Sequence, residues 1–227
     1  KITVTLTDPP ATAESIASIK SLRSELADLD ALVGGSVAQD FDSRTGAERD
    51  LRVIIPLILA VVLLVLIAVF RSILTPVILI SINLMSTLAA IGLGTWMSIV
   101  VFGFPALDVS TPIYAFLFLV ALRIDYTAFL VLRAKEATAE LGTVRAMVQA
   151  VGLTGGVITS AGIVLASVFA VLGVLPLITL TQVGLIVSLG ILLDTFLVRT
   201  LVVPAVFALI GDKIWWPARV STPTSNT

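Results

Sequence analysis

Residues 53–70 read VIIPLILAVVLLVLIAVF, which is 18 residues without a charge. A helix that crosses the hydrocarbon of a bilayer needs about 20 predominantly apolar residues. Four further segments of this kind follow, each with at most two charges: 76–102, 111–132, 154–175 and 181–210. Because backbone amides cannot hydrogen-bond to lipid, such segments must be helical. The sequence therefore predicts an all-α membrane protein with five transmembrane helices.

The composition agrees with this prediction and excludes several other kinds of protein. Of the 227 residues, 58% are hydrophobic and 13% are charged, against roughly 45–50% and about 25% in soluble domains. The 14 Lys and Arg residues nearly balance the 15 Asp and Glu residues, so no basic excess indicates a nucleic-acid partner. The chain has neither Cys nor His, which excludes disulfides, thiol catalysis and the usual zinc sites. We expect no metal and no cofactor, and any proton chemistry must use carboxylates, tyrosine or water.

Residues 1–50 differ from the rest because they have the composition of a soluble domain, with nine of the 15 acidic residues. Alternation of Thr with apolar residues at 2–7 predicts a strand. Thr12 is placed to cap a helix whose apolar face recurs as far as Val33, and residues 36–38 predict a second strand. We expect a small α/β fragment that packs on a part of the protein outside this sequence, since it is too small for a core of its own.

The chain is therefore divided into an N-terminal fragment (1–50), a transmembrane domain (51–210) and a polar tail (211–227). It begins at Lys1, and we interpret it as a piece of a longer protein. Positive charges near the ends of the spans predict the orientation. Loops 103–110 and 176–180 contain none, whereas the other side carries Arg71, Arg133, Lys135, Arg145, Lys213 and Arg219. This asymmetry predicts a cytoplasmic C-terminus and an N-terminal fragment outside the cell.

Residues 134–150 lie between the third and fourth predicted spans. They predict either a short helix at the membrane surface, with Val144, Met147 and Val148 toward lipid, or a solvated connector.

Small residues at four-residue spacing predict where helices in lipid approach each other closely. They are Ser86, Ala90, Gly94 and Ser98 in the second span, Gly155, Gly156, Thr159 and Ser160 in the fourth, and Gly184 and Ser188 in the fifth. These three spans are expected in the protein interior. The first span has few small residues and is expected to face lipid on most sides.

Two acidic residues lie near the middle of apolar segments. Asp125 lies about 14 residues into segment 111–132 and is followed by Tyr126. A charge at the bilayer centre costs at least about 2.5–3.5 kcal/mol, so it is expected where it has a use. Protonated, a carboxyl group suits an apolar site, whereas ionised it needs a cation or water. Asp125 is therefore a candidate proton carrier with Tyr126 as its hydrogen-bond partner, or alternatively a group that bonds a neighbouring helix or a buried Arg.

Asp194 is the second such acid, and it is a weaker candidate. It lies five residues before Arg199, which places the two about 140° apart on an α-helical wheel. They are not expected to face each other directly, although a long Arg side chain can bend back. Topology and anchoring are the alternative explanation for this pair.

The segment FLVALRIDYTAFL at 118–130 resembles the Asp-Tyr helix of the MMPL transporters, a branch of the resistance-nodulation-division (RND) superfamily. Further segments match in order and cover nearly the whole chain. Residues 33–40 resemble the end of the second porter domain, 70–76 the turn after the eighth helix, 154–161 the start of the eleventh helix, and 193–204 the twelfth.

The resemblance implies that the five spans are helices eight to twelve of a transporter with two similar halves. Asp125 and Tyr126 would then face their counterparts in helix four and relay protons. The expected partners are the missing N-terminal half, membrane lipids, and a lipid or drug-like hydrophobic substrate that porter domains move outward. The implied protein is a secondary active transporter, not an enzyme, in a bacterial inner membrane.

The chain departs from the family at Arg123, where the family usually has a small residue, commonly Gly. On a helix Arg123 points about 160° away from Asp125. Three interpretations stay open. Arg123 pairs with a carboxylate such as Asp194 or one from the missing half, it holds Asp125 ionised and disables proton exchange, or it marks an engineered or natural variant with altered activity.

Two other functions are weighed against the exporter. One is a lipid-binding or sterol-sensing-like scaffold that transports nothing. The other is an intramembrane aspartyl enzyme, which requires two facing carboxylates. Asp125 and Asp194 lie at similar depths in their spans, so the lack of a second motif around Asp194 is the one argument against the enzyme.

Overall fold

The computed structural model describes residues 3–5, 12–29 and 31–218, and it divides the chain into two compact units, Lys1–Ile55 and Pro56–Thr227. The described residues form α-helices, a π-helix and two 3-10 helices, and no strand is found among them. The α-helices are α1 Ala13–Glu25, α2 Ser36–Phe70, α3 Leu74–Val100, α4 Thr111–Leu141, α5 Thr143–Leu172, α6 Ile178–Leu193 and α7 Val203–Ile210. The π-helix is Asp194–Val202, and the 3-10 helices are Ala27–Leu29 and Gly211–Trp215.

Five helical stretches are long and apolar enough to cross a membrane, which confirms the prediction of five membrane-spanning helices. They are α2, α3, α4, α5 and the continuous stretch Ile178–Trp215. Only 11% of the most apolar 18-residue segment of α2 is buried, whereas 56% of the corresponding segment of the last stretch is buried. Because α2 consists almost entirely of branched apolar residues there, it offers little surface for close helix contact.

The expected second strand is wrong, because residues 36–38 form the first turn of α2. Gly35, with φ of 124°, lies at a bend just before this helix. Ion pairs Asp40–Arg44 and Glu48–Arg52 at i,i+4 spacing then support the polar part of α2. Of the expected first strand, residues 3–5 are in no regular structure and the others lie outside the described residues.

The predicted cap of α1 is confirmed, since the Ser15 N–H donates to Thr12 Oγ1 at 3.2 Å. The helix ends earlier than expected, at Glu25. Of the apolar residues that continued its pattern, Leu29 is exposed and Val33 is half-buried, and neither lies in α1. Without a packed face, their spacing alone does not sustain a helix.

Residues 134–150 are neither a separate surface helix nor a connector, because α4 and α5 meet at Gly142. Gly142 has φ of 75°, a left-handed conformation that favours glycine. Met147, expected to face lipid, is buried in the core, whereas Val144 and Val148 are exposed. One helical wheel does not describe this segment because the turn at Gly142 changes the direction of the helix.

The core of unit Pro56–Thr227 is organised around α6, which contacts α3, α4 and α5. One apolar cluster joins Ile186 and Val187 of α6 to Ala90 of α3 and Leu119 of α4. A second cluster surrounds Trp215 and includes Phe70, Leu130, Met147 and Phe207. The fold therefore places α6 and the residues that follow it between the other spans.

Buried Gln182 at the start of α6 fixes the loop between α3 and α4. Its Oε1 accepts hydrogen bonds from the Asp108 N–H at 2.8 Å and from the Thr111 hydroxyl at 3.2 Å. Its Nε2 donates to the Ala106 carbonyl at 2.8 Å. Both ends of the amide are thus satisfied, as a buried polar side chain requires.

The second 3-10 helix closes the other end of the last stretch with a fully buried tryptophan. Trp215 Nε1 donates to Thr143 Oγ1 at 3.0 Å, and the Thr143 hydroxyl donates to Asp212 Oδ1 at 2.6 Å. The Ile214 carbonyl accepts from the Thr75 hydroxyl at 2.7 Å. These bonds connect the 3-10 helix Gly211–Trp215 to the starts of α3 and α5.

We predict that Trp215→Ala lowers the free energy of unfolding by about 3–5 kcal/mol, because it leaves a cavity in the core and removes a donor from Thr143. Trp216→Ala is the matched control, since that side chain is 61% exposed, and a change within about 0.5 kcal/mol is expected. Unfolding of the full-length protein in detergent is the measurement. Equal losses from the two substitutions would contradict the prediction.

Candidate functional site

Asp194 and Arg199 form a buried ion pair, with Arg199 Nη2 2.5 Å from Asp194 Oδ2. This contradicts the expectation that the two side chains do not face each other. That expectation assumed an α-helix, but Asp194–Val202 is a π-helix. In a π-helix the backbone bonds run from i to i+5, so residues five apart lie on one face. The Thr200 hydroxyl, which donates to the Thr195 carbonyl at 3.0 Å, shows the same spacing.

Arg123 is buried at 1% exposure and joins α4 to three neighbouring elements. Its Nη2 donates to the Gly190 carbonyl of α6 at 2.6 Å, and its Nη1 donates to Thr87 Oγ1 of α3 at 3.1 Å. Its Nε lies 3.8 Å from Asp194 Oδ1. Of the three interpretations of Arg123, this geometry favours the pairing with Asp194. We refer to Arg123, Asp194 and Arg199 as the Arg-Asp-Arg cluster.

Asp125 is exposed on the other side of α4. Within the described part of the chain, its carboxylate makes no ion pair or hydrogen bond. Arg123 and Asp125 point in nearly opposite directions because residues two apart lie about 200° apart on an α-helix. Arg123 therefore does not contact Asp125. Asp194 is buried elsewhere, and the two carboxylates form no dyad of the kind an aspartyl enzyme needs.

Tyr126 lies between the exposed face of α4 and the cluster. The guanidinium carbon of Arg199 is 4.9 Å from the centre of its ring, within the range of a cation–π interaction. No hydrogen bond to Asp125 is found for its hydroxyl among the described residues. The contact that fixes the ring is therefore the one with Arg199, which the sequence analysis missed.

The cluster leaves several buried polar atoms without a hydrogen-bond partner. They are Arg123 Nε, Arg199 Nε, Thr195 Oγ1 and Asp194 Oδ2, the last of which contacts Arg199 without hydrogen-bond geometry. A cavity of about 10 Å³ lies beside them and is lined by these four residues and by Tyr126, among others. Unpartnered polar atoms beside a cavity are unusual in a protein interior.

Small residues of α3 are buried at four-residue intervals, as the sequence suggested. Ser86, Ala90, Gly94 and Ser98 all lie on its buried face. A Cβ on Gly94 would overlap with Ile186 of α6, so the two helices touch there. The buried face of α3 is thus set against the central helix.

The small residues of α5 are placed differently from the expectation. Gly156 and Ser160 are exposed, Gly155 and Thr159 are half-buried, and a Cβ on either glycine would meet nothing within 4 Å. The buried face of α5 instead runs through Thr154, Ile158, Gly162, Ala166 and Phe169. The small residues that were predicted to pack therefore lie one to two positions after the buried residues in the sequence, on a neighbouring face of the helix.

Besides Gly94, three further glycines lie where a side chain would not fit. A Cβ on Gly162 would overlap with the Thr195 side chain, and one on Gly184 would come within 2.5 Å of the Phe169 carbonyl oxygen. Ser188, which was paired with Gly184 in the sequence, is also buried. Gly190 was missed, and a Cβ there would meet Leu119, Ala90 and Arg123. The sequence did contain a signal for Gly190. A glycine inside an apolar helix weakens that helix, so its presence there indicates close packing.

A family model described as the MMPL family matches residues 1–226. The chain belongs to the MMPL family. The match covers the Asp-Tyr segment, the Arg-Asp-Arg cluster and the small residues described above. The resemblance noted from the sequence is thereby confirmed.

Relatives of this MMPL chain include two proteins named as exporters. An apo-petrobactin exporter of Bacillus anthracis is 40% identical over 83% of the chain, and a sulfolipid-1 exporter of Mycobacterium tuberculosis is 40% identical over 77%. A protein of Streptomyces coelicolor, whose name describes it as a membrane protein, is 42% identical over 96%. The chain spans 25%, 16% and 31% of the length of these three relatives, in that order.

We predict opposite effects for two glycine substitutions. Gly190→Ala should destabilise the protein by about 1–3 kcal/mol, because its Cβ would overlap with Leu119. Gly156→Ala is the matched control, and it should be neutral or stabilise by up to about 1 kcal/mol, because the site is open and alanine favours a helix. Unfolding of the full-length protein measures both. A destabilising Gly156→Ala would show that this glycine packs against a part of the protein outside the chain.

Proposed function

We propose that this chain is the C-terminal part of a proton-driven exporter that moves lipids or drug-like amphiphiles outward. The observation that carries the proposal is Asp125, an exposed acid without an ion-pair partner among the described residues, in the middle of an apolar spanning helix. The names of two relatives, a sulfolipid-1 exporter and an apo-petrobactin exporter, support a transporter of this kind.

The position of Asp125 supports a role for its proton. An ionised acid in hydrocarbon costs at least about 2.5–3.5 kcal/mol, and protonation removes that charge. A group that alternates between the two forms responds to a proton gradient, because each charge that crosses gains about 2.3 kcal/mol per 100 mV. Asp125 therefore serves as the proton carrier of the proposed exporter.

Tyr126 and Asp194 complete the proposed relay with unequal parts. Tyr126 follows Asp125 in sequence and contacts Arg199 through its ring, so it connects the carrier to the cluster. Asp194 is already engaged by Arg199 at 2.5 Å and lies 3.8 Å from Arg123. Because its charge is compensated by guanidinium groups, Asp194 is the weaker member of the relay.

The proposed whole protein has an N-terminal half that covers the exposed face of α4 and brings a counterpart of Asp125 to it. In this proposal the five spans are helices eight to twelve, and residues 1–50 belong to an extracytoplasmic porter domain. Residues 211–227 are then cytoplasmic, and the protein lies in a bacterial inner membrane. The length of the relatives, more than three times that of the matched region in each case, supports a missing half.

We predict that Asp125→Asn abolishes export by the full-length protein, because the amide is neutral in both states of the cycle and carries no proton. Export of a fluorescent amphiphile from cells, together with proton flux in proteoliposomes, is the measurement. Glu140→Gln is the matched control, since it removes one acid from the same helix outside the apolar segment, and it should leave export intact.

The lipid-binding scaffold predicts the reverse pattern. In that case Asp125→Asn would leave function unchanged, whereas a bulky residue at Gly94 or Gly155 would destroy it. Gly94→Leu must be checked for folding, because Gly94 packs against Ile186. Gly155→Leu is the cleaner variant, since a Cβ there would meet nothing within 4 Å.

A further inference from the structure

We propose that the Arg-Asp-Arg cluster binds one small monovalent anion of the chloride type. The cluster contains two guanidinium groups and one carboxylate, which gives a net charge of +1. All three side chains are at most 7% exposed. An uncompensated charge in a protein interior is strongly unfavourable. A bound anion brings the cluster to neutrality.

The unpartnered atoms indicate the same ligand. Arg123 Nε and Arg199 Nε are obligatory donors, and the Thr195 hydroxyl is a third group able to donate. Asp194 Oδ2 is the one atom of this set that can only accept, and it already contacts Arg199. What the cluster lacks is therefore negative charge and acceptor capacity. A halide ion supplies both, whereas a water molecule accepts hydrogen bonds but leaves the charge uncompensated.

The surroundings favour a free ion over a carboxylate from another part of the protein. The cavity of about 10 Å³ is lined by residues of α4, α5, α6 and the π-helix, and the charged atoms are already covered by these elements. A cavity needs about 10–15 Å³ to hold one water molecule, and a halide ion is only slightly larger than water. A side chain from another helix would have to separate the packed helices to reach the same atoms.

A halide requires the cavity to expand on the side of Tyr126, which lines it and is half-buried, whereas Arg123, Asp194 and Thr195 are buried. The ring of Tyr126, which contacts Arg199, would have to shift as the ion enters. Gly162 also lines the cavity, and because a Cβ there would lie 2.4 Å from Thr195 Oγ1, the missing side chain leaves room beside that hydroxyl. The anion would therefore lie between the two Nε atoms and the Thr195 hydroxyl.

The first experiment locates the ion in the unmodified full-length protein. Crystals grown in sodium bromide should give a bromide anomalous peak within hydrogen-bond distance of Arg123 Nε or Arg199 Nε. A peak there supports the proposal. The proposal would be overturned if no peak appeared at this position, if the site held water alone, or if a carboxylate of the remaining protein contacted the arginines.

The second experiment measures binding in solution. Replacing sodium gluconate by sodium chloride at constant ionic strength should raise the midpoint of thermal unfolding by several degrees, and above the dissociation constant the rise should grow with the logarithm of the chloride concentration. Arg123→Gly and Thr195→Val should abolish this rise. Arg145→Gln is the matched control, because it removes an exposed positive charge and should leave the rise unchanged. A rise that is unaltered in either Arg123→Gly or Thr195→Val, or absent from the unmodified protein, would overturn the proposal.

If Arg123→Gly fails to fold, Thr195→Val and the bromide map decide the outcome. Thr195→Val removes one hydroxyl and keeps the shape of the side chain, so it tests the donor set without removing a charge. Neither experiment measures transport, so the result is independent of the proposed export function.

Discussion

The structure of unit Pro56–Thr227 depends on how two arginines and one aspartate are accommodated between its helices. Arg123 reaches from α4 to the Gly190 carbonyl and to Asp194, so α4 and α6 must lie close together. That approach is possible because Gly190 has no side chain. Arg199 reaches the same carboxylate because the chain changes from an α-helix to a π-helix at Asp194. The Arg-Asp-Arg cluster, Gly190 and the π-helix therefore form one arrangement. A change in any of the three affects the other two.

Much of this fold follows from the sequence, because the bilayer restricts the choice of structure. Long uncharged segments must be helical in lipid, and five such helices are present. The prediction failed where that restriction is absent. Residues 36–38 suit a strand or a helix by composition, and in the structure they form the first turn of α2, whose length is set by the apolar segment that follows. Similarly, no helical wheel applies across Gly142, where the backbone itself turns.

The residues of the candidate site show the same division between composition and geometry. Asp125, Tyr126, Asp194 and Arg199 were found because polar groups are rare in apolar segments, but their contacts were not predictable from spacing. The wheel of an α-helix separates Asp194 from Arg199, whereas five residues close one turn of a π-helix. For α5, four-residue spacing of small residues did identify a helix face. Nothing in the spacing distinguishes a face that packs within this chain from one that does not, as Gly156 shows.

One turn of α4 carries a cation toward the interior and an acid toward the exterior. Arg123 is fixed by its bonds to Thr87 and Gly190, so its position does not depend on the protonation of Asp125. The small residue that the family usually has at this site would provide neither the charge nor these bonds. The contacts of Arg123 therefore lie on the inner side of α4, whereas Asp125 lies on its exposed side. In the proposed exporter, proton exchange at Asp125 and charge balance at the cluster belong to opposite sides of one helix, and the contact between Tyr126 and Arg199 lies between them.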